Sequence, residues 1–179
     1  LMAIADTGDI EIHMDRLEGR RLARITVTMA EPAVGCLLAQ YAGWKIQQDD
    51  YFAMGSGPMR AVLAQEPIFD HFHYDECDSN IAVGIIEASS LPSEAVVRNI
   101  AQKLEMHPDS LILAVARTAS LAGSFQVVAR SIETCMHKLH EIGFDVAKVR
   151  SAIGSAFLPP IPKDDLTAVG RTNDSILYG

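Results

Sequence analysis

Residues 81–116, "IAVGIIEASSLPSEAVVRNIAQKLEMHPDSLILAVA", decide the fold class. "IAVGIIEA" and "SLILAVA" are short, continuous apolar runs of strand length. Between them "LPSEAVVRNIAQKLEM" reads as a helix. Two buried strands joined by a helix make a β-α-β unit. Upstream, "DIEIHM" and "RLARITVTM" alternate like paired strands around the turn "DRLEGR", where Gly19 suits the bend. Hairpin and β-α-β units together predict an α/β, mixed α+β fold.

The remaining segments fill in around these units. "EPAVGCLLAQYA" has helical spacing with Pro32 near its first turn, and "WKIQ" reads as a short strand. "DYFAMGSGP" reads as a loop, "PMRAVLAQEPIFDHF" as a helix interrupted by Pro67, and "ECDSN" as a turn. Downstream, "RTASLAGS" is a small-residue loop. "SFQVVARSIETCMHKLHEIGFD" (Ser124 to Asp145) is one amphipathic helix ended by Gly143. "DVAKVRSAIGSA" reads as a final helix, "FLPPIPKDD" as a connector, "GRTND" as a polar loop and "SILYG" as the start of a strand. No Gly- or Ser-rich linker marks a domain boundary. Leu1 is not an initiator methionine, so both ends read as cut from a longer chain.

The 179 residues are 49% hydrophobic, enough for a sizeable core, and carry a net charge of −8. An acidic chain without a Lys/Arg block is a poor candidate for nucleic acid or an anionic membrane. The longest apolar runs fall far short of the roughly 18 residues that a membrane span needs. Cys36, Cys77 and Cys135 are odd in number and widely spaced, which argues for free thiols in a reducing compartment, the cytoplasm. Cys135 falls on the apolar side of its helix and is expected to be buried. The lone Trp44 is expected in the core. His13, His71, His73 and His107 are expected at the surface.

On the Ser124–Asp145 helix, about 100° per residue brings Gln126, Arg130, Glu133, His137 and His140 into an arc of roughly 80°. Val128, Ile132, Cys135, Leu139 and Ile142 fall opposite. Three readings stand side by side: a solvated face with an Arg130–Glu133 surface pair; a metal site using Glu133, His137 and His140, for a metal-dependent hydrolase; or a catalytic pair in which Glu133 takes a proton from water beside the guanidinium of Arg130. Elsewhere, Gly55, Ser56 and Gly57 allow close backbone approach to an anion, with Arg60 nearby. Thr118 and Ser120 offer hydroxyls before the striped helix. Arg171, Thr172, Asn173 and Asp174 form a compact polar cluster with a surface turn as its plainer reading.

Four long stretches occur in order: "AQYAGWKI", "YFAMGSGPMRA", "TASLAGSFQVVARSIETCMHKLHEIGFD" and "AVGRTNDSILYG". Together they resemble the methenyltetrahydromethanopterin cyclohydrolase family from Thr28 to Gly179. The resemblance implies an internal fragment (1–179) of a two-domain cyclohydrolase-type fold, truncated at both ends, that assembles as a homo-oligomer, a trimer. It implies reversible hydrolysis of the methenyl bridge of N5,N10-methenyltetrahydromethanopterin in one-carbon metabolism, without metal or redox cofactor. The family's catalytic Arg and Glu match Arg130 and Glu133, and the loops named above match its pocket walls. A pterin-binding module without turnover is the alternative from another class. Arg117 and Phe157 depart from the family's habit, which is proline at both places.

Overall fold

The computed structural model describes residues 8–41, 43–72 and 80–178. The segment 81–116 folds as its pattern demands. Strand β5 (Ala82–Glu87) and strand β6 (Leu111–Ala116) pair in parallel, joined by helix α2 (Glu94–Lys103). Ser93 caps α2 by accepting from the Val96 amide at 3.3 Å, satisfying one of the donors a helix start leaves open.

β5 also pairs antiparallel with β4 (Tyr51–Ser56), and β4 with β3 (Trp44–Gln48). The result is a mixed sheet in the order β3-β4-β5-β6. Trp44, Ile46, Met59, Ile86, Val96 and Ile100 form the core between this sheet and its helices, so Trp44 is buried as expected. "DYFAMGSGP" is therefore largely strand and not loop. Gly55, read as a turn residue, lies in β4 between Trp44 of β3 and Ile86 of β5, where a Cβ would press on Ile46 Cδ1 at 2.9 Å and Met59 Cε at 3.0 Å.

The second sheet is antiparallel, in the order β1-β2-β7. β1 (Gly8–Leu17) and β2 (Arg20–Ala30) meet at Glu18 and Gly19, with φ of 49° and 78°. Two successive positive φ values make the type I′ turn whose twist suits a hairpin. β7 (Ser151–Phe157) pairs with β2 in the stretch read as a final helix. Only the single turn Val146–Lys148 is helical there. The correction has a packing reason. Ala152, Gly154 and Ala156 oppose Met29, Val27 and Ile25 across the ladder, and Gly154 lets the Ser131–Ile132 turn approach closely. Phe157 is buried with the Arg24 guanidinium 4.7 Å over its ring.

Between the sheets run helices. Ala33–Leu38 is helical as expected but wound as a π-helix, followed by α1 (Pro58–Leu63) and a 3-10 turn at Pro67–His71, where Pro67 breaks the helix. The Ser124–Asp145 stretch is not one helix. It is α3 (Leu121–Val128) and α4 (Ser131–Glu141), broken at Ala129–Arg130, where Arg130 has φ −96° and ψ 21°. Beyond the break the buried residues of α4 are Ile132 and Met136, and Cys135 is exposed, contrary to the single-helix projection. Gly143 ends α4 as read, with φ 79° and the amides of Gly143 and Phe144 bonded back to His140 and Leu139.

"GRTND" and "SILY" are also helix, not loop and strand: α5 spans Asp165–Tyr178. The start signal was in "KDDLT". Asp164 accepts from the Thr167 amide and hydroxyl, both at 2.8 Å. His13 and His107 are exposed. Most of "ECDSN", with Cys77 and His73, and the side chain of His71 lie outside the described residues. No described helix is long and apolar enough to cross a membrane.

Candidate active site

The break between α3 and α4 presents Arg130. Its backbone leaves the helical path, and its side chain, only 9% exposed, runs inward. Nη1 donates to the Gln40 carbonyl at 3.0 Å, just past the π-helix. Nε has no hydrogen-bond partner among the described residues. Burial lowers the pKa of this guanidinium, while Glu133 and Glu87 act against that shift. At any physiological pH the group stays a cation, with spare hydrogen-bonding capacity.

Three residues on, Glu133 lies in the first turn of α4. It lines a cavity of about 170 Å³ with Tyr41, Val127, Arg130, Thr134, Asn173 and Ile176. Burial raises its carboxyl pKa, and the cations of Arg130 and Arg60 pull the other way. The two charges interact across the cavity wall, yet no direct ion pair joins Arg130 to Glu133 among the described residues. A half-buried carboxyl with a raised pKa and a nearby cation is suited to take a proton from water near neutral pH.

Arg130 also lines a narrow cleft with Gly55, Ser56, Ile85, Glu87 and Gln126. Gln126 is only 8% exposed and donates through Nε2 to Glu87 Oε2 at 3.2 Å. Thr118 donates its hydroxyl to Glu87 Oε1. Gly55, Ser56, Thr118 and Gln126 thus come together with Arg130. Gly57 has φ 88°, and a Cβ there would meet Ile85 N at 3.3 Å, so it makes the close turn from β4 into α1 against β5. Ser120 is committed to the backbone as the cap of α3, accepting from Gly123 N at 2.9 Å and donating to Arg117 O at 2.6 Å. Arg117 itself reaches Asp165 at 3.6 Å and ties the loop to α5.

Other expected contacts fall elsewhere. Arg60 is fully buried. Its Nε pairs with Glu66 at 2.6 Å, Nη1 donates to the Leu37 and Leu38 carbonyls, and the guanidinium lies 4.7 Å over the Tyr41 ring. Arg60 closes the end of the π-helix and backs Tyr41, where the sequence suggested an anion contact. Thr172 is 1% exposed and its hydroxyl donates to Ala168 O on its own helix, so it is buried and committed to α5. Arg171 is exposed and donates to Pro160 O at 3.0 Å, and Asp174 is exposed. Of the 171–174 cluster, only Asn173 lines the Glu133 cavity.

His137 does not turn toward a ligand set. Its ring meets Tyr41 at 4.5 Å between centroids, and Nε2 lies 3.5 Å from Glu141. Among the described residues no three His, Cys, Asp or Glu side chains gather as a metal site. Sequence reasoning missed Glu87 and Tyr41. The signal for Glu87 was present: it is the one charge in "IAVGIIEA", at the carboxyl end of a buried strand. Tyr41 had none, since its place depends on Arg60 and His137.

A family model described as "Cyclohydrolase (MCH)" matches residues 2–179. The chain belongs to this cyclohydrolase family. Relatives of this cyclohydrolase chain named methenyltetrahydromethanopterin cyclohydrolase include one from Rhodopirellula baltica, 46% identical over 159 residues. That alignment covers 87% of this chain and 48% of the relative. One from Methanococcoides burtonii is 40% identical over 179 residues, covering 99% of this chain and 55% of the relative. One from a Methylobacterium species is 44% identical over 159 residues, covering 87% and 49%. This cyclohydrolase chain therefore spans about half the length of the curated relatives it matches.

Proposed function

We propose that the chain carries the catalytic centre of a methenyltetrahydromethanopterin cyclohydrolase. The observation that carries this reading is Glu133, half-buried on the wall of a cavity it shares with Arg130, with its carboxyl pKa raised by burial. A water held by Glu133 attacks the electron-poor methenyl carbon of N5,N10-methenyltetrahydromethanopterin, and the carboxylate takes one of its protons. The substrate's positive charge is drawn to the same carboxylate. The tetrahedral adduct collapses to the N5-formyl product. The C–N10 bond breaks, the remaining hydroxyl proton ends on N10, and the first proton passes to solvent. The reverse sequence closes the ring.

The substrate already carries the charge that makes its carbon electrophilic. The step as written therefore asks for no metal or redox cofactor. Arg130 orients the carboxylate through space and helps direct the pterin, with Asn173 at the mouth and Gly55, Ser56, Gly57, Thr118 and Gln126 on the adjoining walls. A cytoplasmic homo-oligomer, trimeric, serving one-carbon metabolism completes the proposal.

The test is loss of methenyl absorbance on a chain of the relatives' length carrying these residues, with and without Glu133→Gln. Loss of most activity in a folded variant supports the reading. Near-normal turnover by the variant ends it. Pterin binding with only the spontaneous hydrolysis rate would instead mark a binding module.

A further inference from the structure

Glu87 ends a strand that is otherwise apolar. It lies at the carboxyl end of the parallel β5-β6 pair, where the Ala88 amide still reaches Ala116 O at 3.1 Å. In sheets with parallel strands, that end is where the crevices open. A carboxylate placed there needs partners, and Glu87 has two. Thr118 comes from the loop after β6, and Gln126 from the helix that leads to Arg130. Each oxygen is held separately, so the carboxylate is fixed in plane and direction.

It is fixed beside Arg130. Glu87 and Arg130 line one cleft, and Arg130 and Glu133 line a second cavity. Among the described residues neither carboxylate is within ion-pair reach of Arg130, whose guanidinium donates one hydrogen bond, to a backbone carbonyl. Both carboxylates attract this cation through space, Glu133 the more strongly, so the resting place of the guanidinium depends on both. We propose that Glu87 is a positioning residue of the cyclohydrolase site, acting through Arg130 to set how strongly that cation bears on Glu133. This rests on the reading of Glu133 as the base.

The charges that face Glu133 come from several elements. They are Arg130 at the helix break and Arg60 from α1; the other titratable groups nearby are the Cys36 thiol of the π-helix, the Tyr41 phenol on the same cavity wall and the His137 ring stacked on Tyr41. Arg60 is matched by Glu66. Arg130 is matched only at a distance, by Glu133 first and by Glu87 second. Removing the negative charge at position 87 leaves Arg130 free to hold Glu133 ionised at lower pH.

The experiment compares wild type, Glu87→Gln, Glu87→Asp, Arg130→Met and the Glu87→Gln/Arg130→Met double variant in a chain of the relatives' length. Two midpoints are read: the acid limb of kcat/KM for the methenyl pterin, and the carbon-13 NMR titration of the Glu133 carboxyl, assigned with Glu133→Gln. In Glu87→Gln both move to lower pH by about half a unit. Glu87→Asp restores them, and in the Arg130→Met background, where no cation remains at that position, the NMR shift caused by Glu87→Gln vanishes. Unmoved midpoints in folded Glu87→Gln overturn the proposal, as does an equal NMR shift in the Arg130→Met background. If Glu87→Gln does not fold, Glu87→Met is read by the same criteria. Should wild type fail to turn over, the cyclohydrolase reading falls, and the NMR midpoint still decides the role of Glu87.

Discussion

Arg60 and Arg130 are both buried guanidinium groups, and burial lowers the pKa of each. They differ in how the charge is met. Arg60 has Glu66 in direct contact, two carbonyls of the π-helix, and the Tyr41 and Phe69 rings against it. Each leaves one guanidinium nitrogen unpartnered, Nη2 in Arg60 and Nε in Arg130, but Arg130 has only one carbonyl and two carboxylates held beyond ion-pair distance. A cation matched by contact stabilises the fold, because breaking such a pair leaves an uncompensated buried charge. A cation left partly unmatched keeps interaction energy available for something that arrives later. Under the proposed function, the fold uses one buried arginine as structure and keeps the other for chemistry.

The comparison breaks most visibly at Glu133. Glu133→Gln is expected to lower kcat on the order of 10² to 10⁴-fold, the range for a general base, with an unchanged circular dichroism spectrum. Next come the two arginines. Arg60→Met should lower the free energy of unfolding by about 3 kcal/mol or more, measured by urea titration. Arg130→Met should lose activity out of proportion to its stability change. If the two variants lose stability and activity in the same ratio, the distinction drawn here is wrong.

The pH dependence sharpens the contrast. Burial raises the folded-state pKa of Glu133 above its unfolded value. Its contribution to stability is therefore complete below the unfolded pKa and is lost as pH rises through the folded one. Glu133→Gln should accordingly match wild type in acid and equal or exceed it at neutral pH in thermal melts. Activity has the opposite sense: it should fall as Glu133 protonates, on an acid limb above the ordinary glutamate range. The smallest expected effect concerns thiols. The Cys36 thiol, pushed up to about 12 by burial and by Glu133, should resist iodoacetamide at pH 8, while exposed Cys135 is alkylated. Peptide mass spectrometry separates the two, and equal labelling would contradict the packing around Glu133.

Much of the architecture was legible. The β-α-β unit, the hairpin with Gly19, the Pro67 interruption and the Gly143 stop all follow from local pattern or backbone chemistry that acts within a few residues. The misreadings share a cause. "SAIGSA" has alanines that favour a helix and a glycine that does not, and it became β7 because β2 offered a ladder over 120 residues away. "FAMGS" became strand between two partners that also lie outside its own window. "GRTND" was read as a turn from its polarity, although Asp164 had already started a helix that carries it.

The sequence alone singled out Arg130 and Glu133, an Arg and a Glu three apart, in a stretch long and unusual enough to resemble one family. Their spacing by itself left a solvated face, a metal site and a catalytic pair as readings. What only the tertiary structure decided is where those charges point and what balances them. The helix break at Arg130, its tie to the Gln40 carbonyl 90 residues away, and the placement of Glu87 by Thr118 and Gln126 all join segments far apart in the chain. Electrostatic balance in a buried site depends on distance through space, and a one-dimensional pattern does not encode that distance.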